Sequence, residues 1–175
     1  DAVKCTDIVT DQLAYSLLFR AIEFDILPAC LTSDVGVLAY SPLAQGLLTG
    51  KFETLATVDD ERARMRFYSK ERTETVHDEQ GCEKEVEQVL DRIRAICDDI
   101  GEPMAKVALA WVLQQPGITG VLAGARNPAQ IRKNVEATDL TLSTEILSRL
   151  SDATSTVKSI LGANADPWRT ASRIR

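Results

Sequence analysis

The chain has a single histidine, His77, and none of its four cysteines (Cys5, Cys30, Cys82 and Cys97) lies at CxxC spacing from another. A structural zinc site needs clustered nitrogen and sulfur ligands, so no metal centre is expected, and scattered unpaired thiols fit a reduced, cytoplasmic protein. No apolar run approaches the roughly 20 residues of a membrane span, and no signal-peptide pattern is present, so neither membrane insertion nor secretion is expected. Positive charge is in deficit. Lys and Arg number 20 against 26 Asp and Glu, a net charge of −6 that disfavours nucleic-acid binding. There is no GxGxxG fingerprint, and Ser41 has no histidine near it in sequence. The carboxylate pairs Asp59-Asp60 and Asp98-Asp99 read as solvated faces or helix ends, so no hydrolase constellation emerges.

What is present is an ordinary soluble balance, 45% hydrophobic and 26% charged over 175 residues, enough for one ordered core. Asp7 to Thr10 reads as a short strand and Gln12 to Phe24 as a helix. A further helical layer ends over Ala29 to Ser33. Val35 to Tyr40 is nearly all apolar, as for a strand buried on both faces, and Ser41-Pro42 ends it. Ala44 to Lys51 is a glycine-punctuated loop. Asp59 to Val76 is rich in charge and reads as a long surface loop. Glu83 to Asp98 is the clearest helix, with Val86, Val89, Leu90, Ile93 and Ile96/Cys97 on one face. Met104 to Gln115 is a second helix and Ile118 to Ala123 a second buried strand. Helices over Pro128 to Ala137 and Ser143 to Leu150 follow, then a weakly patterned tail from Ser155 to Arg175. Strands alternating with helices imply an α/β fold of about three parallel βα units. Three such units make an open arc with two free edges. Such an arc is expected to be partly molten in isolation, or to self-associate as a homo-oligomer that completes a barrel-like core.

In βα architectures the sites lie beyond the carboxyl ends of the strands. The most informative end here is GVLAGARNPAQIRKN, Gly120 to Asn134. Gly124 and Ala125 let a ligand approach the backbone, and Arg126 offers a planar fork for phosphate. The helix beginning near Pro128 offers N–H groups and a dipole, the ingredients of an anion site. Gln130 and Asn134, four apart, share the face pointing the same way. A solvated helix cap is the alternative. At the other ends stand Asp11, Gln12 and Tyr15, and the run Tyr40-Ser41-Pro42-Leu43. Tyr40 is a flat surface for stacking or for packing. Lys51 and Arg62 either reach a phosphate or remain solvated charges.

Three ordered segments carry a resemblance: GVLAYSPLAQGLLTGKF, DDERARMRFY and EPMAKVALAWVLQQPGITGVLAGARNPAQIRKN. Together they resemble the C-terminal half of an aldo/keto reductase, in the branch with bacterial general-stress reductases and potassium-channel beta subunits. The likeness runs from about Asp7 to Thr154. It makes residues 1–154 the C-terminal part of a (β/α)8 TIM barrel, about its last three βα units, and 155–175 a tail. It implies NADPH as cofactor and an aldehyde or ketone as substrate of the full-length parent. On the resemblance, Gln12 matches the glutamine on the nicotinamide carboxamide and Tyr40 the aromatic beneath the ring. Ser41, Pro42, Leu43, Gln45 and Gly46 match the loop over the pyrophosphate, with Lys51 reaching it. Arg62 matches an arginine of the loop that closes over the cofactor. Gly124, Arg126, Gln130 and Asn134 match the residues holding the adenosine and its 2′-phosphate. Lys133 departs from the family, which often has an acidic residue there. The family's catalytic aspartate, tyrosine, lysine and histidine come from the other half of the barrel, so the resemblance assigns this chain no catalytic residue. It leaves three readings: the cofactor half of a reductase, a regulatory or protein-interaction subunit, or a truncated product without a function of its own.

Overall fold

A computed structural model describes residues 8–170. Asp7 and Cys5 lie outside them. The sheet consists of β1 (Thr10–Ala14), β2 (Gly36–Tyr40) and β3 (Ile118–Leu122), all parallel, with β2 central. The helices are α1 (Ile26–Thr32), α2 (Glu83–Ile100), α3 (Met104–Leu113), α4 (Pro128–Val135), α5 (Thr144–Ala153) and α6 (Ser155–Leu161). Parallel neighbours cannot be joined by a tight turn, and helical crossovers here connect β1 to β2 and β2 to β3.

Only one face of the sheet is fully covered. In β2, Val37 and Ala39 are completely buried while Gly36, Leu38 and Tyr40 are half-buried, which corrects the expectation of a strand buried on both sides. β3 is an edge strand, and its Thr119 and Leu122 are exposed, so it too is less buried than its apolar sequence implies. Register puts Gln12 beside Leu38 and Ala14 beside Tyr40, so Gln12, Leu38 and Tyr40 share the open face. The β2–β3 ladder shifts register between Val37 and Leu38, which pair with Ile118 and Gly120 and leave Thr119 as the extra residue. Gly36 accommodates it, because a Cβ there would collide with the Thr119 hydroxyl.

The helical layer follows the hydrophobic period where that period is clear. The predicted stripe of α2 is buried in full, from Val86 to Cys97. Burying each such Val, Leu or Ile contributes about 1.5–3 kcal/mol. α3 is apolar apart from Lys106 in its first turn, and Trp111 at its heart donates its indole N–H to Ser151 Oγ at 3.2 Å. Ser143 caps α5 by accepting the Ile146 N–H.

Three segments depart from expectation. Gln12 to Phe24 is not a helix. It is the end of β1, a tight reversal in which Ser16 bridges Phe19, and a short 3-10 turn at Ala21–Glu23. Tyr15, Leu17, Leu18, Phe19 and Ile22 are all buried there, a density no single helix face provides. The Asp59–Val76 stretch is not purely surface, since Met65, Phe67 and Tyr68 are buried. The tail contains α6, whose Val157 and Leu161 enter the core.

The reversal is held by a buried polar cluster. Glu23 accepts from Arg20 Nε and Nη2 at 2.7 and 2.8 Å, from Lys158 Nζ at 2.8 Å and from the Tyr15 hydroxyl at 2.7 Å. Arg20 Nη1 reaches the Ser151 carbonyl and Thr154 Oγ1, and its guanidinium lies 5.3 Å over the Trp111 ring. Burial alone would raise the Glu23 carboxyl, but the hydrogen bonds from Arg20 and Lys158 and the Arg20 charge hold it below its ordinary 4.5. Burial, then the Glu23 charge, pushes the Tyr15 phenol upward, so it stays a donor.

Because folded Glu23 holds its proton less tightly than unfolded Glu23, the unfolded chain binds more protons near its ordinary value. Its stabilisation is complete above pH 4.5 and is lost as pH falls through the lowered folded value. Arg20→Met breaks the buried pair and is expected to cost about 3–5 kcal/mol at neutral pH. Urea unfolding at a series of pH values from 7 downward checks both statements: the variant's deficit shrinks as pH falls below 4.5 and through the lowered folded value.

Candidate functional site

A cleft of about 780 Å³ opens at the carboxyl ends of β2 and β3. One wall is the loop that leaves β2, from Ser41 to Lys51. The other is the Gly124–Arg126 turn and the first two turns of α4. Leu122, Ala123 and Ala105 form its floor.

The loop wall is a strained turn. Ser41, Ala44 and Gln45 have φ of 53°, 46° and 54°, and Gly46 follows at 101°. Left-handed geometry costs a non-glycine residue roughly 1–2 kcal/mol. The turn is pinned by hydrogen bonds from Ala44 N–H to the Ser41 carbonyl (2.9 Å) and from Gly46 N–H to that of Leu43 (2.8 Å). The Thr49 hydroxyl closes it on the Gly46 carbonyl at 2.6 Å, and Ala44, Leu47 and Leu48 anchor it in the core. Gln45 Oε1 is buried without a hydrogen-bond partner.

The helix wall is braced by its own polar side chains. Asn127 Oδ1 accepts the Gln130 N–H at 3.0 Å, Gln130 Oε1 accepts the Arg126 N–H at 2.7 Å, and Asn134 Nδ2 donates to the Gly124 carbonyl at 3.3 Å. This revises the expected anion site. Pro128 has no N–H and Asn127 occupies that of Gln130, so the α4 terminus offers little bare backbone. Positive charge comes from side chains instead. Lys51, Arg126 and Lys133 line the cleft, and among the described residues no carboxylate lines it. Partial burial, then the charges of Arg62 and Arg126, lower the Lys51 ammonium below its usual range.

Ten of the residues singled out from sequence converge here: Ser41, Pro42, Leu43, Gln45, Gly46, Lys51, Gly124, Arg126, Gln130 and Asn134. Three do not line the cleft. Gln12 lies inside β1, not beyond its end, and is exposed on the open sheet face. Tyr40 is on that same face, half-buried, its ring stacked on Trp168 with centroids 5.9 Å apart and planes 16° from parallel. Arg62 sits in a short turn, paired with Asp59 at 3.4 Å. Thr49, Ala105 and Lys133 line the cleft without having been singled out as contacts. Lys133 was within reach of sequence reasoning, since it follows Gln130 by three and so shares its face. Trp168 gave no such signal, because its contact with Tyr40 spans most of the chain.

Residues 2–154 match the model of the aldo/keto reductase family. The chain is 38% identical over 145 residues to the uncharacterized oxidoreductase YrpG of Bacillus subtilis, covering 83% of this chain and 40% of that protein. It is 34% identical over 132 residues to an Escherichia coli protein named NADH-specific methylglyoxal reductase, covering 75% and 37%. To a probable voltage-gated potassium channel subunit beta of Arabidopsis thaliana it is 29% identical over 141 residues, covering 80% and 41%. The chain thus spans about two fifths of the length of these curated relatives. It belongs to the aldo/keto reductase family, and its three-stranded parallel arc is part of that family's TIM barrel.

Two glycines separate strain from access. Gly46 holds φ 101°, which no side chain adopts easily, whereas Gly124 has open space around it. Gly46→Ala is expected to lose roughly 1–3 kcal/mol of stability, and Gly124→Ala to stay within about 0.5 kcal/mol of wild type. Paired urea titrations measure both; equal losses would show that the Gly46 turn carries no special strain.

Proposed function

With that membership as the premise, we propose that this chain is the cofactor-gripping part of an NADPH-dependent reductase that converts aldehydes or ketones to alcohols. One observation carries the reading. On a chain of net charge −6, a cleft at the strand ends is lined by Lys51, Arg126 and Lys133 and, among the described residues, by no acid. Such a cleft suits a polyanion of dinucleotide size.

The residues fit the cofactor. The Ser41–Gly46 turn and Lys51 take the pyrophosphate. Arg126 takes the 2′-phosphate, with Lys133 adding charge where the family often places an acid. Gln130 and Asn134 frame the adenosine. The orphaned Gln45 Oε1 accepts from a ribose hydroxyl, which would satisfy a buried atom otherwise left at a cost. Tyr40 offers a ring surface for the nicotinamide and Gln12 an amide for its carboxamide, and Arg62 belongs to the closing loop. When bound, the cofactor supplies hydride to the carbonyl carbon. The proton for the carbonyl oxygen is assigned to the family's acid–base group, whose motifs these 175 residues do not carry.

A second reading, a regulatory subunit that contacts another protein, is favoured by the likeness to channel beta subunits. It keeps the same cofactor cleft and differs in needing no turnover.

The choice of cofactor is open to direct test, since one relative is named NADH-specific. A charge-assisted contact to the 2′-phosphate contributes about 1.5–3 kcal/mol, so Arg126→Ala should weaken NADPH roughly ten- to over a hundredfold and leave NADH nearly unchanged. Fluorescence titration measures this, and equal losses would make Arg126 structural. The purified chain is also expected not to oxidise NADPH with 4-nitrobenzaldehyde. Turnover that survives repurification, and is lost on substituting a residue of this chain, would overturn the assignment of the proton donor.

A further inference from the structure

Trp168 reaches Tyr40 on a strap fastened at many points. The Asp166 carboxylate accepts the N–H groups of Trp168 and Arg169 at 3.0 and 3.2 Å. Asn164 Oδ1 accepts the Asp166 N–H, and its amide donates to the carbonyls of Arg169 and Thr170. Beneath the strap lies Arg66, 4% exposed. Its guanidinium donates to the carbonyls of Leu161 and Asn164 at 2.8 Å each and to Glu79 at 2.7 Å, and its backbone N–H donates to the Pro167 carbonyl at 2.8 Å. Thr170 ties the far end to Asp78 at 2.6 Å.

A strap held by a buried guanidinium is not a loose flap. Lifting it would strip several acceptors from Arg66 at once and leave a buried charge underbonded. The Tyr40–Trp168 stack is therefore a fixed part of the open sheet face. Its separation and tilt are those of an offset aromatic pair.

We propose that Trp168 is a positioning residue of the nicotinamide end of the site, setting the plane of the Tyr40 ring so that the two rings act as one platform. This rests on the reading of Tyr40 above. Tyr40 stands at the end of the central strand, and the Trp168 ring lies stacked against it. A second ring locked against it limits how far the Tyr40 plane can tilt. Hydride delivery depends on a fixed nicotinamide plane, and small misplacements of reacting atoms are costly. Arg66 acts at one further remove, by holding Trp168.

The test compares Trp168→Ala and Trp168→Phe with wild type against three probes: NADPH, reduced nicotinamide mononucleotide and adenosine 2′,5′-bisphosphate, each by calorimetric titration. Trp168→Ala should weaken the two nicotinamide probes by up to about tenfold, the size of one aromatic stack, and leave the bisphosphate unchanged. Trp168→Phe should recover most of the loss. Unchanged nicotinamide binding in Trp168→Ala would overturn the proposal, since Trp168 would then only cover Tyr40. Tighter binding would make it a competitor for the Tyr40 face, and parallel weakening of the bisphosphate would make it merely structural; either also overturns it. Wild-type chain that binds the bisphosphate but neither nicotinamide probe would refute the platform and leave the phosphate site standing. Binding of none of the three would sink the cofactor reading itself, and the platform with it.

Discussion

Everything in this chain depends on a parallel sheet that is covered on one side only. Val37 and Ala39 are driven into the helical layer, so alternation turns Leu38 and Tyr40 to the other face. Parallel direction then brings the carboxyl ends of β2 and β3 to one side, where their following segments meet across the cleft. Chemistry on the sheet face and chemistry at the strand ends are thus placed by two different features of one element. Side-chain parity places Tyr40 and Gln12; strand direction places Ser41, Lys51 and Arg126.

The legible parts of the fold were those whose local pattern agreed with their final burial. α2 has a single apolar stripe and is buried along that stripe, so its sequence predicts it well. The Gln12–Phe24 stretch misled because QLAYSLLF is apolar enough for a helix but is buried continuously from Ala14 onward, with no period of 3.6. Its geometry is set by Arg20 and Glu23, whose partners Ser151, Thr154 and Lys158 lie more than a hundred residues away. The Asp59–Val76 segment misled in the opposite sense. It is mostly charged, yet Met65, Phe67 and Tyr68 are placed inward, and Arg66 among them is buried to grip the tail.

The cleft followed the same division. Most of its residues come from two short contiguous runs, Ser41–Lys51 and Gly124–Asn134, so motif and spacing sufficed to collect them. What spacing left open was how the α4 terminus is used. A free helix end and a capped one look alike until Asn127 and Gln130 are seen bonding to the backbone around them. The sheet-face residues were harder. Gln12 was placed past the end of its strand because the strand itself was read too early, and the tryptophan against Tyr40 enters from a tail with little pattern of its own.

Two costs coincide at the cleft, and both bear on the proposed cofactor site. Three non-glycine residues are held at positive φ in the Ser41–Gly46 turn, a conformation that persists only because buried Ala44, Leu47 and Leu48 over-determine it. Across the same space burial, then the charges of Arg62 and Arg126, lower the Lys51 ammonium below its usual range. Neither the strain nor the mutual repulsion helps the chain fold. A loop that only connected β2 to α2 would be under no pressure to keep either. On the proposed reading, a phosphate between Lys51 and Arg126 would turn two repelling cations into partners, while the strained turn would bring backbone within reach of it. On that reading the strain and the repulsion are two parts of one binding surface.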